Sequence, residues 1–162
     1  YDLVRPGIAL FGGNPTPMKF NPMAEVVHLR GKIIQVREID TPQSVGYGAT
    51  YRVAGPRRIA TVPVGYADGY LRALSAKGKA SIAGVSVPIV GRVSMDLITL
   101  DVTDVPEGSV QPGAWADLIG GEGPSLDDIA TRAGTIGYEV LTSLGARFHR
   151  QYLEAEEGWF HA

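Results

Sequence analysis

Apolar residues along this chain recur far more often with a period of two than with a helical period. From Glu25 to Ile39, the residues Val27, Leu29, Ile33 and Val36 are set among His28, Arg30, Lys32, Gln35 and Arg37. Successive side chains of an extended chain point to opposite faces, so this stretch reads as one long strand or two joined strands. Arg58–Val64 reads as a strand, Lys79–Val93 as a hairpin turning at Ala83-Gly84, and Trp115–Ile119 as a short strand. Asp96–Val102 alternates without separating polar from apolar, which predicts a strand partly buried on both faces. Leu3–Phe11 is an apolar, strand-like run around Arg5, Pro6 and Gly7, and Arg147–Leu153 reads as a last strand. Gly12–Pro22 is a Gly-, Asn- and Pro-rich connection, and Asp40–Gly48 a polar loop. Two helices are predicted near the C-terminal end. Ser125 with Asp128 three residues on forms a capping-box pattern for a helix running to about Ala133 and stopping at Gly134. A second helix covers roughly Tyr138 to Leu144 and stops at Gly145. With strands outnumbering helices and no strand–helix alternation, the pattern predicts a mainly β, antiparallel domain with two short helices.

Composition narrows the classes of function. A length of 162 residues allows one sizeable core, and 44% hydrophobic with 20% charged residues is ordinary for a globular protein. A net charge of -2 favours neither nucleic acid nor an anionic membrane surface. The absence of cysteine excludes disulfides, thiolate metal sites and a cysteine nucleophile. No apolar run approaches the roughly 20 residues that cross a bilayer, and no signal peptide is present. The first residues, Tyr1-Asp2-Leu3-Val4-Arg5, include no initiator methionine and read as a cut inside a longer protein. The 21 glycines and 11 prolines are scattered, as turn punctuation is.

Three tyrosines stand in glycine-rich turns: Tyr47, Tyr66 and Tyr138. Taken singly, each reads as a structural turn residue. Taken together, with Asp68 and Glu139 nearby as acidic companions, they suggest a polar, tyrosine-lined site. A tyrosine acting as a base needs a cation near its phenolate, because phenol titrates near pH 10. Arg92-Val93-Ser94-Met95-Asp96 ends an apolar strand with charged and hydroxylic residues, and Arg5 stands in an apolar run where it must find a partner or stay wet. His28, His149 and His161 lack metal-ligand spacing, and Gly65-x-x-x-Gly69 is no phosphate loop, since no Gly-Lys-Ser/Thr follows.

Five segments, in order, carry a resemblance: Val4–Gly12 (VRPGIALFG), Val45–Tyr51 (VGYGATY), Pro63–Gly69 (PVGYADG), Gly91–Asp96 (GRVSMD) and Ile136–Glu139 (IGYE). Together they resemble the C-terminal part of the alanine racemases, pyridoxal-phosphate enzymes built from a (β/α)8 barrel followed by a mainly β domain. The resemblance implies that residues 1–12 are the remnant of the last barrel strand and 13–162 the C-terminal β domain. It places the cofactor-bearing lysine upstream. It implies that Tyr47 exchanges a proton at the substrate Cα on the face opposite that lysine, one of the two bases that racemisation needs. It further implies that Arg5 hydrogen-bonds the pyridine nitrogen, that Gly7 and Ile8 give backbone donors to the cofactor phosphate, and that Tyr138 binds that phosphate. Met95 would meet the substrate carboxylate through its backbone N–H, while Tyr66, Arg92 and Asp96 would line the entrance. The implied assembly is a head-to-tail homodimer in which Tyr47, Tyr66 and Met95 serve the partner's cofactor. The implied role is interconversion of L- and D-alanine in the bacterial cytoplasm, for peptidoglycan. A broad-specificity racemase shares these motifs, and an isolated fragment without the lysine would be an inactive dimerisation or binding module. A related decarboxylase family usually brings a cysteine, which this chain lacks. Family members often have a serine just before the tyrosine, where this chain has Val45-Gly46.

Overall fold

The computed structural model describes residues 2–16, 18–40, 42–46, 48 and 51–153. Tyr47 lies outside the described residues. Nine strands are formed among those described: β1 Leu29–Lys32, β2 Gln35–Ile39, β3 Ser44–Val45, β4 Tyr51–Arg52, β5 Arg57–Val62, β6 Lys79–Ile82, β7 Val85–Val90, β8 Ile98–Asp101 and β9 Trp115–Ile119. Seven of them form one sheet in the order β1-β9-β6-β7-β8-β5-β2, with every pairing antiparallel. β3 and β4 pair separately as a small two-stranded ladder.

The two outermost strands of the large sheet are consecutive. β1 ends at Lys32 against Trp115, and β2 begins at Gln35 against Thr61. Between them, the Ile33 N–H donates to the Ala114 carbonyl (2.8 Å), and the Ile34 N–H donates to the Thr61 carbonyl (2.9 Å). One segment therefore serves both edges and draws the sheet into a barrel. Alternation along the strands fills it. Ile82, Ile89, Ile98, Leu100, Leu118 and Val62 are almost wholly buried, while β1 and β2, the two ends of the sheet, have no ladder between them among the described residues. A satellite cluster of Ile39, Val45, Val53, Ile59 and Val90 lies under the β3–β4 ladder.

Both helices pack on the main core. α1 spans Leu126–Ala133 and buries Leu126, Ile129 and Ala130, the spacing that puts three side chains on one face. The Ser125 hydroxyl accepts from the Asp128 N–H (3.1 Å), and Asp128 Oδ2 accepts in return from the Ser125 N–H (3.4 Å). Gly134, at φ 74°, ends the helix in the left-handed conformation that a β-carbon disfavours. α2 spans Gly137–Ser143 and buries Val140. The β6–β7 hairpin turns at Ala83 (φ 49°) and Gly84 (φ 75°), as the sequence predicts.

Two predicted strands are absent. Leu3–Phe11 instead contains a 3-10 helix over Gly7–Phe11, because Gly7 takes φ 60°, outside the β region, and Pro6 offers no N–H to a ladder. Arg147–Leu153 forms no ladder among the described residues. Arg147 is instead drawn into ion pairs with Asp68 and Asp96.

Tyr70 is the bulkiest of the fully buried side chains, and its hydroxyl has no hydrogen-bond partner among the described residues. Burial pushes its phenol pKa well above the ordinary value near 10. The unfolded chain releases this proton from about pH 10 upward while the folded chain keeps it, so stability that is fully present at neutral pH falls as pH rises beyond about 10. Tyr70→Phe should leave neutral-pH stability unchanged or raise it by about 1 kcal/mol, since an unpaired buried hydroxyl is removed. Denaturant midpoints of variant and parent should diverge further, in favour of the variant, between neutral pH and about pH 10.5.

Candidate functional site

The sequence-predicted residues fall into two groups. In the first, three loops converge. The turn after β5 is a short 3-10 helix, Tyr66–Asp68, and it lies backbone on backbone against the segment preceding β8. The Tyr66 N–H donates to the Ser94 carbonyl (3.0 Å) and the Ala67 N–H to the Met95 carbonyl (2.9 Å). A β-carbon on Gly65 would overlap the Met95 carbonyl, so only glycine permits this approach. The third loop arrives through glycines as well. A β-carbon on Gly46 would lie 3.2 Å from the Gly91 α-carbon, and one on Gly48 would lie 3.1 Å from Arg92 Nη1. Gly46 and Gly48, the residues flanking position 47, both take positive φ (81° and 76°). Tyr66 and Met95 are 43% and 53% exposed, so their side chains remain open to a ligand. Arg92 and Asp96 are exposed too.

Electrostatics set the back of this group. Asp68 is buried; its Oδ2 accepts from the Gly65 N–H (2.8 Å), and its Oδ1 faces Arg147 Nε at 3.1 Å. Arg147 Nη1 donates to Asp96 Oδ1 at 2.8 Å. That bond, aided by the Asp68 charge, raises the guanidinium pKa above its ordinary value. Asp68 is therefore no companion of the Tyr66 ring, as its sequence position suggests, but the link between its own turn and the segment after α2. Glu139 is likewise engaged elsewhere, accepting from the Thr135 hydroxyl.

The second group is smaller. The Tyr138 hydroxyl lies directly against the Gly7 α-carbon, where a β-carbon would collide with it. Ile8 packs near Gly13 and Gly137. Ile8, Gly137 and Tyr138 line an open cavity of about 440 Å³ shared with Thr131 and Thr135. The first N–H groups of the 3-10 helix Gly7–Phe11 have no intrahelical acceptor, which, with the absent β-carbon at Gly7 and the tyrosine hydroxyl, makes a cradle suited to a phosphate. Arg5 is exposed beside it. α2 joins the two groups: Tyr138 is in its first turn, and Ser143 at its end sits against Gly69, with the helix roughly 10 Å long.

A larger open cleft, about 780 Å³, adjoins the back of the first group, since Asp68 and Arg147 line it, whereas Tyr66, Arg92, Met95 and Asp96 do not. It runs along β1 and residues 147–153, near where Arg30 Cζ stacks 4.4 Å from the Trp115 ring centroid and His28 Nε2 pairs with Asp117 Oδ1 at 2.6 Å. Size alone does not make it the site; the convergence of the three glycine-bearing loops is the better guide. Among the described residues, no group of three or more His, Asp or Glu side chains could hold a metal, and no helix is long and apolar enough to cross a membrane. Sequence reasoning missed Arg147. Its only signal was an arginine after the last helix, read as part of a strand.

Comparison with known proteins bears on the family and the fold. Residues 26–152 match the family described as "Alanine racemase, C-terminal domain". The chain is 57% identical to an alanine racemase of Rhodospirillum rubrum over 98% of its own length and 42% of that protein's. It is 51% identical to one from Methylobacterium nodulans, over 95% of its length and 41% of that protein's. The fold superposes with a TM-score of 0.87, at 43% identity, on the crystal structure of alanine racemase from Bartonella henselae with covalently bound pyridoxal phosphate, covering 94% of this chain and 42% of that one. The chain thus spans about two-fifths of the length of the relatives it matches.

Gly65→Ala should lower stability by about 1–3 kcal/mol, because the added methyl meets backbone that cannot rotate away. The urea midpoint should fall with little change in its slope; an unchanged midpoint would contradict the close approach.

Proposed function

Because this chain belongs to the alanine racemase family, as its C-terminal domain, we propose that the full-length protein interconverts L- and D-alanine with pyridoxal phosphate, an isomerase reaction run on two bases. The observation that carries the reading is the convergence of Gly46 and Gly48 with loops 65–68 and 91–96, since these segments bear the family's proton-transfer and substrate-binding motifs. Residues 1–12 belong, in this reading, to the end of the preceding barrel. The exposed apolar side chains of Leu3, Val4, Leu10 and Phe11 support that assignment, since they would be covered by another domain.

Each residue then has a task. Tyr47 removes or returns a proton at the substrate Cα from one side, while a lysine of the barrel works from the other; inversion requires two donors on opposite faces. Arg92 brings a cation to Gly48, next in sequence to that tyrosine. The Met95 N–H receives the substrate carboxylate. Tyr66, Arg92 and Asp96 line the approach. Gly7 and Ile8 N–H groups and the Tyr138 hydroxyl hold the cofactor phosphate, and Arg5 donates to its pyridine nitrogen. The cofactor, when bound, delocalises the negative charge left on Cα. Arg5 cannot release a proton to that nitrogen, which keeps the electron sink weak and disfavours transamination.

The two groups on this chain serve two different sites in a head-to-tail homodimer: Arg5, Gly7, Ile8 and Tyr138 their own, and Tyr47, Tyr66 and Met95 the partner's. The separation of the groups by the length of α2 supports that division. The setting is bacterial and cytoplasmic, with D-alanine going to peptidoglycan.

Tyr47→Phe in the full-length enzyme should cut racemisation by about 10²-fold or more, or make its two directions strongly unequal, while cofactor binding persists; near-normal racemisation in both directions would refute the role. Residues 1–162 alone should show neither racemisation nor a visible absorbance band on adding the cofactor, and detectable turnover would contradict the placement of the lysine upstream.

A further inference from the structure

The turn that presents Tyr66 and the segment that presents Met95 are tied together from behind by Arg147, which belongs to none of the five motifs. The guanidinium uses two different nitrogens for two different carboxylates: Nε toward Asp68 at 3.1 Å and Nη1 toward Asp96 at 2.8 Å. Asp68 fixes its own turn by accepting the Gly65 N–H (2.8 Å). Asp96 is the residue after Met95. The segment that supplies the arginine is itself stitched to the same turn, since the Gly145 N–H donates to the Asp68 carbonyl (2.9 Å). A planar fork with fixed donor directions sets the distance between two carboxylates, whereas an ammonium on a flexible stem does not. The pairing is also asymmetric in cost. Asp68 is 7% exposed at its side chain, so its charge depends on the arginine, whereas Asp96, at 51%, keeps water as an alternative. What the fork adds is therefore a side-chain tie at the Met95 side: without it, Met95 and Asp96 keep the Ser94–Leu97 turn and the backbone bonds from Tyr66 and Ala67, but Asp96 loses its link to Asp68.

We propose that Arg147 is a positioning residue for the racemase reaction, holding Met95 at a set distance from Tyr66 and so fixing where the substrate carboxylate is received. The inference rests on the racemase reading above. It acts on substrate binding, not on proton transfer, because neither carboxylate it holds is placed at the substrate Cα.

The test uses the full-length, cofactor-loaded enzyme and compares Arg147→Met, Arg147→Lys, Asp96→Asn and the double variant Arg147→Met/Asp96→Asn. Arg147→Met should raise KM for alanine about tenfold in both directions with kcat within about threefold and cofactor absorbance unchanged, the pattern of lost uniform binding. Arg147→Lys should recover only part of that KM, as an ammonium engages one carboxylate at a time. Asp96→Asn should raise KM as well, and the double variant should be no worse than Arg147→Met, since both changes break the same link. An unchanged KM in Arg147→Met, or KM effects that multiply in the double variant, would overturn the proposal. If Arg147→Met does not fold, Asp96→Asn decides, because it cuts only the exposed arm and leaves Asp68 paired; an unchanged KM there overturns the proposal equally. An unsubstituted full-length enzyme that failed to racemise alanine would refute the racemase reading itself and is distinguishable from all of these outcomes.

Discussion

One chain segment, residues 29–39, forms both edges of the large sheet, and the rest of the molecule depends on that closure. The two ends of the seven-stranded antiparallel sheet are joined through the chain itself, not through a ladder between β1 and β2. Here the hydrogen bonds of Ile33 to Ala114 and of Ile34 to Thr61 hand the segment from one edge to the other within two residues. Ile33, 1% exposed, turns into the core at the crossing point while Ile34 stays outside. Once the barrel is closed, the loops at its ends are anchored by rigid ladders, and their relative positions are set to the precision that a binding site needs.

At the end that carries Tyr66 and Met95, the contacts are backbone against backbone. Such contacts are short and rigid because no rotatable side chain intervenes, and they exist only where glycine stands: Gly65 against Met95, and Gly46 against Gly91. The cost is flexibility in the unfolded chain, where each glycine has more freedom to lose. Side-chain charge then completes the arrangement. Asp68 is buried, so it must be partnered, and its partners are a backbone N–H of its own turn and an arginine from beyond α2. Main-chain shape and buried charge thus act on the same two loops from opposite sides.

Much of this was legible in the sequence because the relevant signals are local. The capping box of Ser125 and Asp128, the stop at Gly134, the turn at Ala83-Gly84 and the strand Trp115–Ile119 all lie where periodicity and turn chemistry place them. The failures share a cause. Leu3–Phe11 and Arg147–Leu153 have strand-like composition, but a strand exists only if a neighbour offers hydrogen bonds, and pairing between distant segments is not written in a local pattern. The β3–β4 ladder, within and just beyond a stretch that reads as polar loop, was missed for the same reason. At the site, the motif residues were legible through resemblance, and the grouping of Tyr66, Met95, Arg92 and Asp96 follows it. The role of Asp68 was not legible, since its proximity in sequence to Tyr66 pointed to the wrong partner.

The pairing of Asp68 with Arg147 also has a consequence for the order in which the protein is made. A ribosome delivers every strand of the barrel before it delivers Arg147, so the sheet can close while Asp68 still lacks its counter-ion. Until that residue emerges, the Asp68 carboxyl has no counter-ion, and the turn carrying Tyr66 rests on its own bonds to Ser94 and Met95. A cut just after α2 would therefore remove the counter-ion of Asp68 while leaving every strand of the large sheet in the chain.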